Sequence, residues 1–241
     1  MALDTSGLDF KKFHLAWFGL VFSTFIIFAI GGIVQGDPAP PVLNLKIITD
    51  FSLFAIILYV IGSAIAVLIL KGYLKQKNLN LFNLGLSKNF PPSSFLFSLA
   101  GVVVGVLIYS AIESVLESLN INMYWRVQRE AHLILRTPTD YLLTILFAVI
   151  VGPVCEEIIF RGYILATFVE KGYGKLSAIV WSGLIFSSVH IYHGPGVLLF
   201  IFLWSFIPAI LYLRYGNLYP GIIMHALNNA IAYMLVPVLF S

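Results

Sequence analysis

Two glutamates, an arginine, two histidines and two asparagines stand inside stretches otherwise built largely of Leu, Ile, Val and Phe. Glu156, Glu157 and Arg161 share one stretch, His190 lies in the next, and His225 stands with Asn228 and Asn229 in the last. An ionisable side chain inside a membrane span costs about 2.5–3.5 kcal/mol on insertion scales, so such residues are rare without a use. A set of carboxylates, imidazoles and amides could activate a water, relay protons or ligate a metal.

Helical geometry divides the labour among them. At about 100° per residue, Glu157 and Arg161 lie about 40° apart on one face and one turn apart in height, so they can pair directly. Glu156 points about 140° away from Arg161. If one carboxylate is left to act as a base it is Glu156, with Glu157 held by the arginine. The same rule puts Phe186 and His190 on one face, and likewise His225 and Asn229, so each pair can address one cavity. His193, just before Gly194-Pro195-Gly196, reads as a turn residue at the membrane edge. Glu113 and Glu117 read as helix-end residues near the outer interface.

The elements that must position this set are membrane helices. Of 241 residues, 60% are apolar and only 10% charged, and the mean hydropathy is +0.96; a soluble domain carries about a quarter charged residues. Lipid offers no partners for open backbone groups, so the chain is expected to be an all-α polytopic transmembrane bundle. Apolar stretches at Leu15 to Val34, Ile47 to Leu70, Phe95 to Leu116, Tyr141 to Val169, Leu176 to Tyr192, Val197 to Leu213 and Leu218 to Phe240 give seven spans. Eight is the alternative if the fourth breaks at Gly152-Pro153 or Pro237 cuts the last.

The first stretch follows Lys11 and Lys12 but lacks a small-x-small cleavage site, and reads as a retained span. With the N-terminus in the cytoplasm, nine cations fall inside (Lys11, Lys12, Lys71, Lys75, Lys77, Lys88, Lys171, Lys175, Arg214) and four outside (Lys46, Arg126, Arg129, Arg136). That asymmetry favours the N-in orientation. The net charge of +3 is scattered over short connections, with no dense basic patch, so nucleic acid is not an expected partner. Val127, Ala131, Ile134 and Leu135 recur at helical spacing beside Tyr124 and Trp125, as in a short interfacial helix. Gly101 and Gly105 favour close helix packing, and Cys155, the only cysteine, reads as a small packing residue. Residues 1–138 are thus N-terminal transmembrane helices with an interfacial helix, and 139–241 hold the core with the polar set.

The sequences Glu156-Glu157-Ile158-Ile159-Phe160-Arg161, Phe186-Ser187-Ser188-Val189-His190 and His225-Ala226-Leu227-Asn228-Asn229 resemble the three motifs of the CPBP family: Glu-Glu-x-x-x-Arg, Phe-x-x-x-His and His-x-x-x-Asn. That family groups type II CAAX prenyl proteases with bacteriocin-processing and immunity membrane proteins. The resemblance covers about residues 139 to 235, and the earlier spans match only in being hydrophobic. It implies that Glu156 and His190 activate a water while His225 and Asn229 stabilise the oxyanion. A peptide carbonyl under attack needs such a base and such donors.

The implied activity is endoproteolysis of membrane-associated peptides or proteins in the bilayer, with short loops suiting a bacterial plasma membrane. A non-catalytic immunity or regulatory partner, and a proton-coupled transporter, are the competing readings. Glu156, His190 and His225 also compose a two-histidine, one-glutamate set of the kind that holds catalytic zinc. No His-Glu-x-x-His helix is present, and Glu156 with His190 alone could activate the water, which is the version preferred here. Counting about 1.5 Å per residue from the inner ends of the spans sets Glu156 and His190 roughly 20 Å deep but His225 only about 10 Å. The three can meet only if Arg214 to Gly221 dips into the membrane or the last helix tilts.

Overall fold

The structure, a computed structural model, describes residues 7–9, 51–87, 91–124 and 137–235. The regular elements among them are all helical: α1 (Phe51–Gln76), α2 (Ser93–Ser118), α3 (Pro138–Glu170), α4 (Lys175–Ser188), α5 (Pro195–Tyr215) and α6 (Tyr219–Ala230, running on through a wider turn at Ile231–Leu235). In apolar surroundings a helix satisfies its backbone groups internally, and the apolar runs of this sequence leave it little alternative. α6 lies at the centre, packed on α2, α3 and α5, while α1 and α4 flank α3.

Four of these helices are long and apolar enough to cross a membrane: α1 over Ile56–Gln76, α2, α3 and α5. The expected count of seven or eight is therefore not what the described residues give. Three expected spans are not among these four: the first lies outside the described residues, the last is described only as far as Leu235, and α4 is too short. Its 14 residues reach about 21 Å at 1.5 Å per residue, short of the roughly 30 Å hydrocarbon core. The chain turns at Val189-His190, makes one tight turn over Ile191–His193, and passes through Gly194 at φ 128° before Pro195 opens α5. Hydropathy extended this stretch to Tyr192 because it registers apolarity, not the Gly-Pro-Gly turn that ends it. The carbonyl of Met123 accepts from the amides of Gly196 and Val197 at 3.2 and 3.3 Å, pinning the chain that follows α2 over this hairpin. The expected first span, the interfacial helix at Val127 to Leu135 and the Pro237 break lie outside the described residues.

α3 does not break at Gly152-Pro153. It starts with a capping box between Thr137 and Asp140, with Pro138 in the first turn, and continues for 33 residues. The proline is accommodated by a π-helical stretch, Ile145–Val151, that ends with the Gly152 amide bonding the Phe147 carbonyl five residues back. One extra residue in the turn opens the backbone where the ring of an interior proline would otherwise collide.

At the end of the bundle where α1 stops and α6 starts, Asp9 ties helices together. Its carboxylate accepts from Tyr73 at 2.8 Å and from Lys77 at 3.1 Å, and its carbonyl accepts from the Tyr163 hydroxyl at 2.6 Å. The α5–α6 turn is buried beneath the segment after α1. The Leu218 amide donates to the Gly85 carbonyl at 2.9 Å and the Asn217 amide group to the Ser87 carbonyl at 2.7 Å. Close helix contact depends on small residues, as the Gly101 and Gly105 spacing implies. A Cβ on Gly101 would stand 2.8 Å from Met224 Sδ, and one on Gly105 would stand 2.9 Å from the Trp204 ring. Cys155 is a buried free thiol in the same packing.

Candidate active site

α3 carries Glu156, Glu157 and Arg161 at its middle, all buried, with Glu157 and Arg161 each only 1% exposed. The pairing set by their one-turn spacing is made: Arg161 Nη1 lies 3.1 Å from Glu157 Oε1. The guanidinium does more than neutralise that carboxylate. Its Nη2 donates to the Ser205 carbonyl at 3.2 Å, and its plane lies over the Phe186 ring, 4.5 Å from the centroid.

The Ser205 carbonyl is open to Arg161 because the helix lapses there, one turn before Pro208. A proline inside a helix removes one amide donor and loosens the preceding turn. In α5 the regular helix lapses at Ser205, whose carbonyl has only a long 3.4 Å bond from the Ala209 amide. Backbone groups freed inside a membrane need another partner, and here a buried arginine supplies it.

α6 brings His225 into the same cluster. Nδ1 of His225 lies 3.0 Å from Glu157 Oε1, the oxygen that also faces Arg161, and Nε2 lies 3.5 Å from Glu156 Oε2. His225 therefore stands between the two carboxylates. The edge of its ring meets Trp204 at a centroid distance of 4.7 Å. The contact that residue counting put in question is made: His225 reaches Glu156 six residues after α6 begins, and the turn before α6 is buried, with Asn217 and Leu218 each 1% exposed. Ser98 holds this start by donating to the Pro220 carbonyl at 2.8 Å. At Gly221 a Cβ would stand 3.0 Å from Glu157 Oε2, so the helix approaches that carboxylate as closely as a bare backbone permits.

His190 stands beside this cluster, not within its hydrogen bonds. Its Nδ1 lies 3.0 Å from the Phe186 carbonyl, which leaves Nε2 as its other polar atom. Phe186 is the spacer between the histidines, with centroids 4.9 Å from His190 and 6.1 Å from His225. Tyr59 of α1 flanks His190 at 6.1 Å, and His193 stacks on it at 5.9 Å, so His193 is more than a turn residue. Asn229, one turn beyond His225, donates from Nδ2 to the Ala148 carbonyl of α3 at 2.8 Å. His190 and Asn229 are half-buried, whereas Glu156 and His225 are each 5% exposed, so the cluster opens on the side of His190 and Asn229.

The sequence names the six polar residues of this cluster but not their neighbours Trp204, Ser205, Gly221 and the Ala148 carbonyl. Pro208 and Pro153 were the available signals, since each proline releases carbonyls one turn earlier.

Among the described residues no group of three His, Cys, Asp or Glu side chains has metal-holding spacing. Both ring nitrogens of His225 face the two glutamates, and the Nδ1 of His190 is committed to a carbonyl. As they stand, Glu156, His190 and His225 are not spaced as a group that would hold a metal.

Four helices able to cross a bilayer and a buried carboxylate–imidazole–guanidinium cluster at their centre define an integral membrane protein with a candidate acid–base site. Residues 138–231 match the family model described as type II CAAX prenyl endopeptidase Rce1-like, and the match agrees with the CPBP motifs. The match takes in α3, α4, α5 and α6, and with them every residue of the cluster. No curated protein and no solved structure matches the chain.

Proposed function

We propose that the protein is an intramembrane endopeptidase that hydrolyses membrane-associated peptides or proteins with a water activated by Glu156 and His190. The observation that carries this reading is Glu156 Oε2: a carboxylate oxygen buried in the core without a hydrogen bond, 3.5 Å from His225 Nε2, at the mouth marked by His190 and Asn229. A buried acceptor left without a donor is costly, and a water or a substrate N–H would satisfy it.

Charge balance assigns the protons. Two carboxylates against one guanidinium leave one negative charge in a low-dielectric core, and an imidazolium at His225 between Glu156 and Glu157 cancels it. Glu156 then takes a proton from the water as its oxygen attacks the scissile carbonyl carbon. The oxyanion is received by the second N–H of Asn229 and by the Nε2–H of His225. When the C–N bond breaks, Glu156 returns its proton to the leaving amine, giving a carboxylic acid and an amine. Glu157 and Arg161 touch no reacting atom and act by orienting His225.

Comparative peptidomics of membranes from cells carrying the intact protein or Glu156→Ala tests the proposal. Peptides that depend on Glu156 support it. Identical peptidomes, with biological activity kept by Glu156→Ala, would show a binding protein instead.

A further inference from the structure

Asn229 is aimed by a defect in another helix. The π-helical stretch of α3 ends with Gly152, whose amide bonds Phe147 O, five residues back. In that register the next amide would serve Ala148 O, but the next residue is Pro153, which has no N–H. The Ala148 carbonyl, with Ala148 only 4% exposed, is bonded instead by Asn229 Nδ2 at 2.8 Å. Gly152 is bound into the same device: a Cβ there would stand 3.0 Å from Phe147 O, so a side chain would press on the carbonyl that defines the wide turn.

This contact decides which way the amide faces. A carbonyl only accepts, so the NH₂ end of Asn229 must face α3. One N–H is spent on Ala148 and the other stays on the same nitrogen as a donor. A free amide could rotate and offer its oxygen, which would repel an oxyanion.

We infer that Pro153 is a positioning residue, whose missing amide leaves Ala148 O as the anchor that fixes Asn229 as a hydrogen-bond donor to the reacting carbonyl. Its catalytic consequence rests on the peptidase reading above; the anchor itself does not.

The test uses the full chain in lipid nanodiscs with ¹⁵N-labelled asparagine, the Asn229 resonances being assigned by their loss in Asn229→Ala. In the unmodified protein one of the two Asn229 amide protons should exchange with solvent at least about tenfold more slowly than the other, as a buried hydrogen bond requires. In Pro153→Ala the new amide competes for Ala148, and the two protons should exchange at equal rates. Gly152→Ala, which presses on Phe147 O, should do the same and serves if Pro153→Ala fails to fold. Unchanged protection of the Asn229 amide in the folded variant would overturn the inference. For peptide cleavage, Pro153→Ala should lower kcat and leave KM within about twofold, and the double variant with Asn229→Ala should be no slower than Asn229→Ala alone. Losses that add would also overturn it. An unmodified protein that cleaves nothing removes the peptidase reading, while the amide exchange still decides the anchor.

Discussion

Nδ1 of His225 and Nη1 of Arg161 meet at one oxygen, Glu157 Oε1, at 3.0 and 3.1 Å. A carboxylate that bridges a histidine to an arginine fixes the ring's orientation, much as the third member of a catalytic triad does.

Glu157→Gln should therefore impair turnover without blocking substrate binding. The amide keeps one acceptor oxygen but loses the charge that steadies the imidazolium. We expect kcat to fall by about tenfold or more with KM within about twofold, and Glu157→Ala to fall further. Steady-state cleavage by purified protein checks this, and an unchanged kcat in Glu157→Gln would remove His225 orientation from the account.

Arg161 holds both Glu157 and the Ser205 carbonyl at the Pro208 break. Arg161→Ala leaves a buried carboxylate uncompensated and should cost about 3–5 kcal/mol. Arg161→Lys keeps the charge but cannot span both partners or stack on Phe186, and should fall between the two. Unfolding in detergent gives the order; a lysine variant as stable as the parent would mean that charge alone matters.

Two glycines give opposite expectations. Gly221→Ala puts a methyl 3.0 Å from Glu157 Oε2, and overpacking of this kind costs about 1–3 kcal/mol; cleavage should fall with it. A Cβ on Gly72, within α1, would meet nothing within 4 Å, so Gly72→Ala should be neutral or stabilising by about 0.5–1 kcal/mol. Thermal unfolding of both variants side by side checks the contrast.

Since Glu156, His190 and His225 lack metal-holding spacing, dialysis against a strong chelator should leave the cleavage rate within about twofold. Loss of activity that zinc restores would show that the three side chains rearrange around an ion.

How much of this was legible in the residues depends on the range of the interaction. The Glu157–Arg161 pair follows from spacing within one helix, and spacing predicted it. That Glu157 also receives His225 does not follow, because it depends on the register of α6 against α3 across 68 residues of chain. His225 and Asn229 were placed on one face, but their contacts, Glu157 and the Ala148 carbonyl, are set by helix packing and by a widened turn at Pro153 that periodicity cannot show. The four long spans were legible as apolar runs. The turn at Gly194 was legible as well, but not that α4 stops before it at Ser188 or that Met123 ties the hairpin down, which is a tertiary contact.

The central claim is that Glu156 activates the water that cuts the peptide bond. Purified protein and Glu156→Gln, matched for fold by thermal unfolding, should be incubated with a membrane-anchored peptide in water enriched in ¹⁸O, and the new C-terminal carboxyl read by mass spectrometry. The account predicts one ¹⁸O in the product of the unmodified protein and a rate for Glu156→Gln lower by about 10²–10⁴-fold. Equal rates and equal label in the two proteins would contradict it.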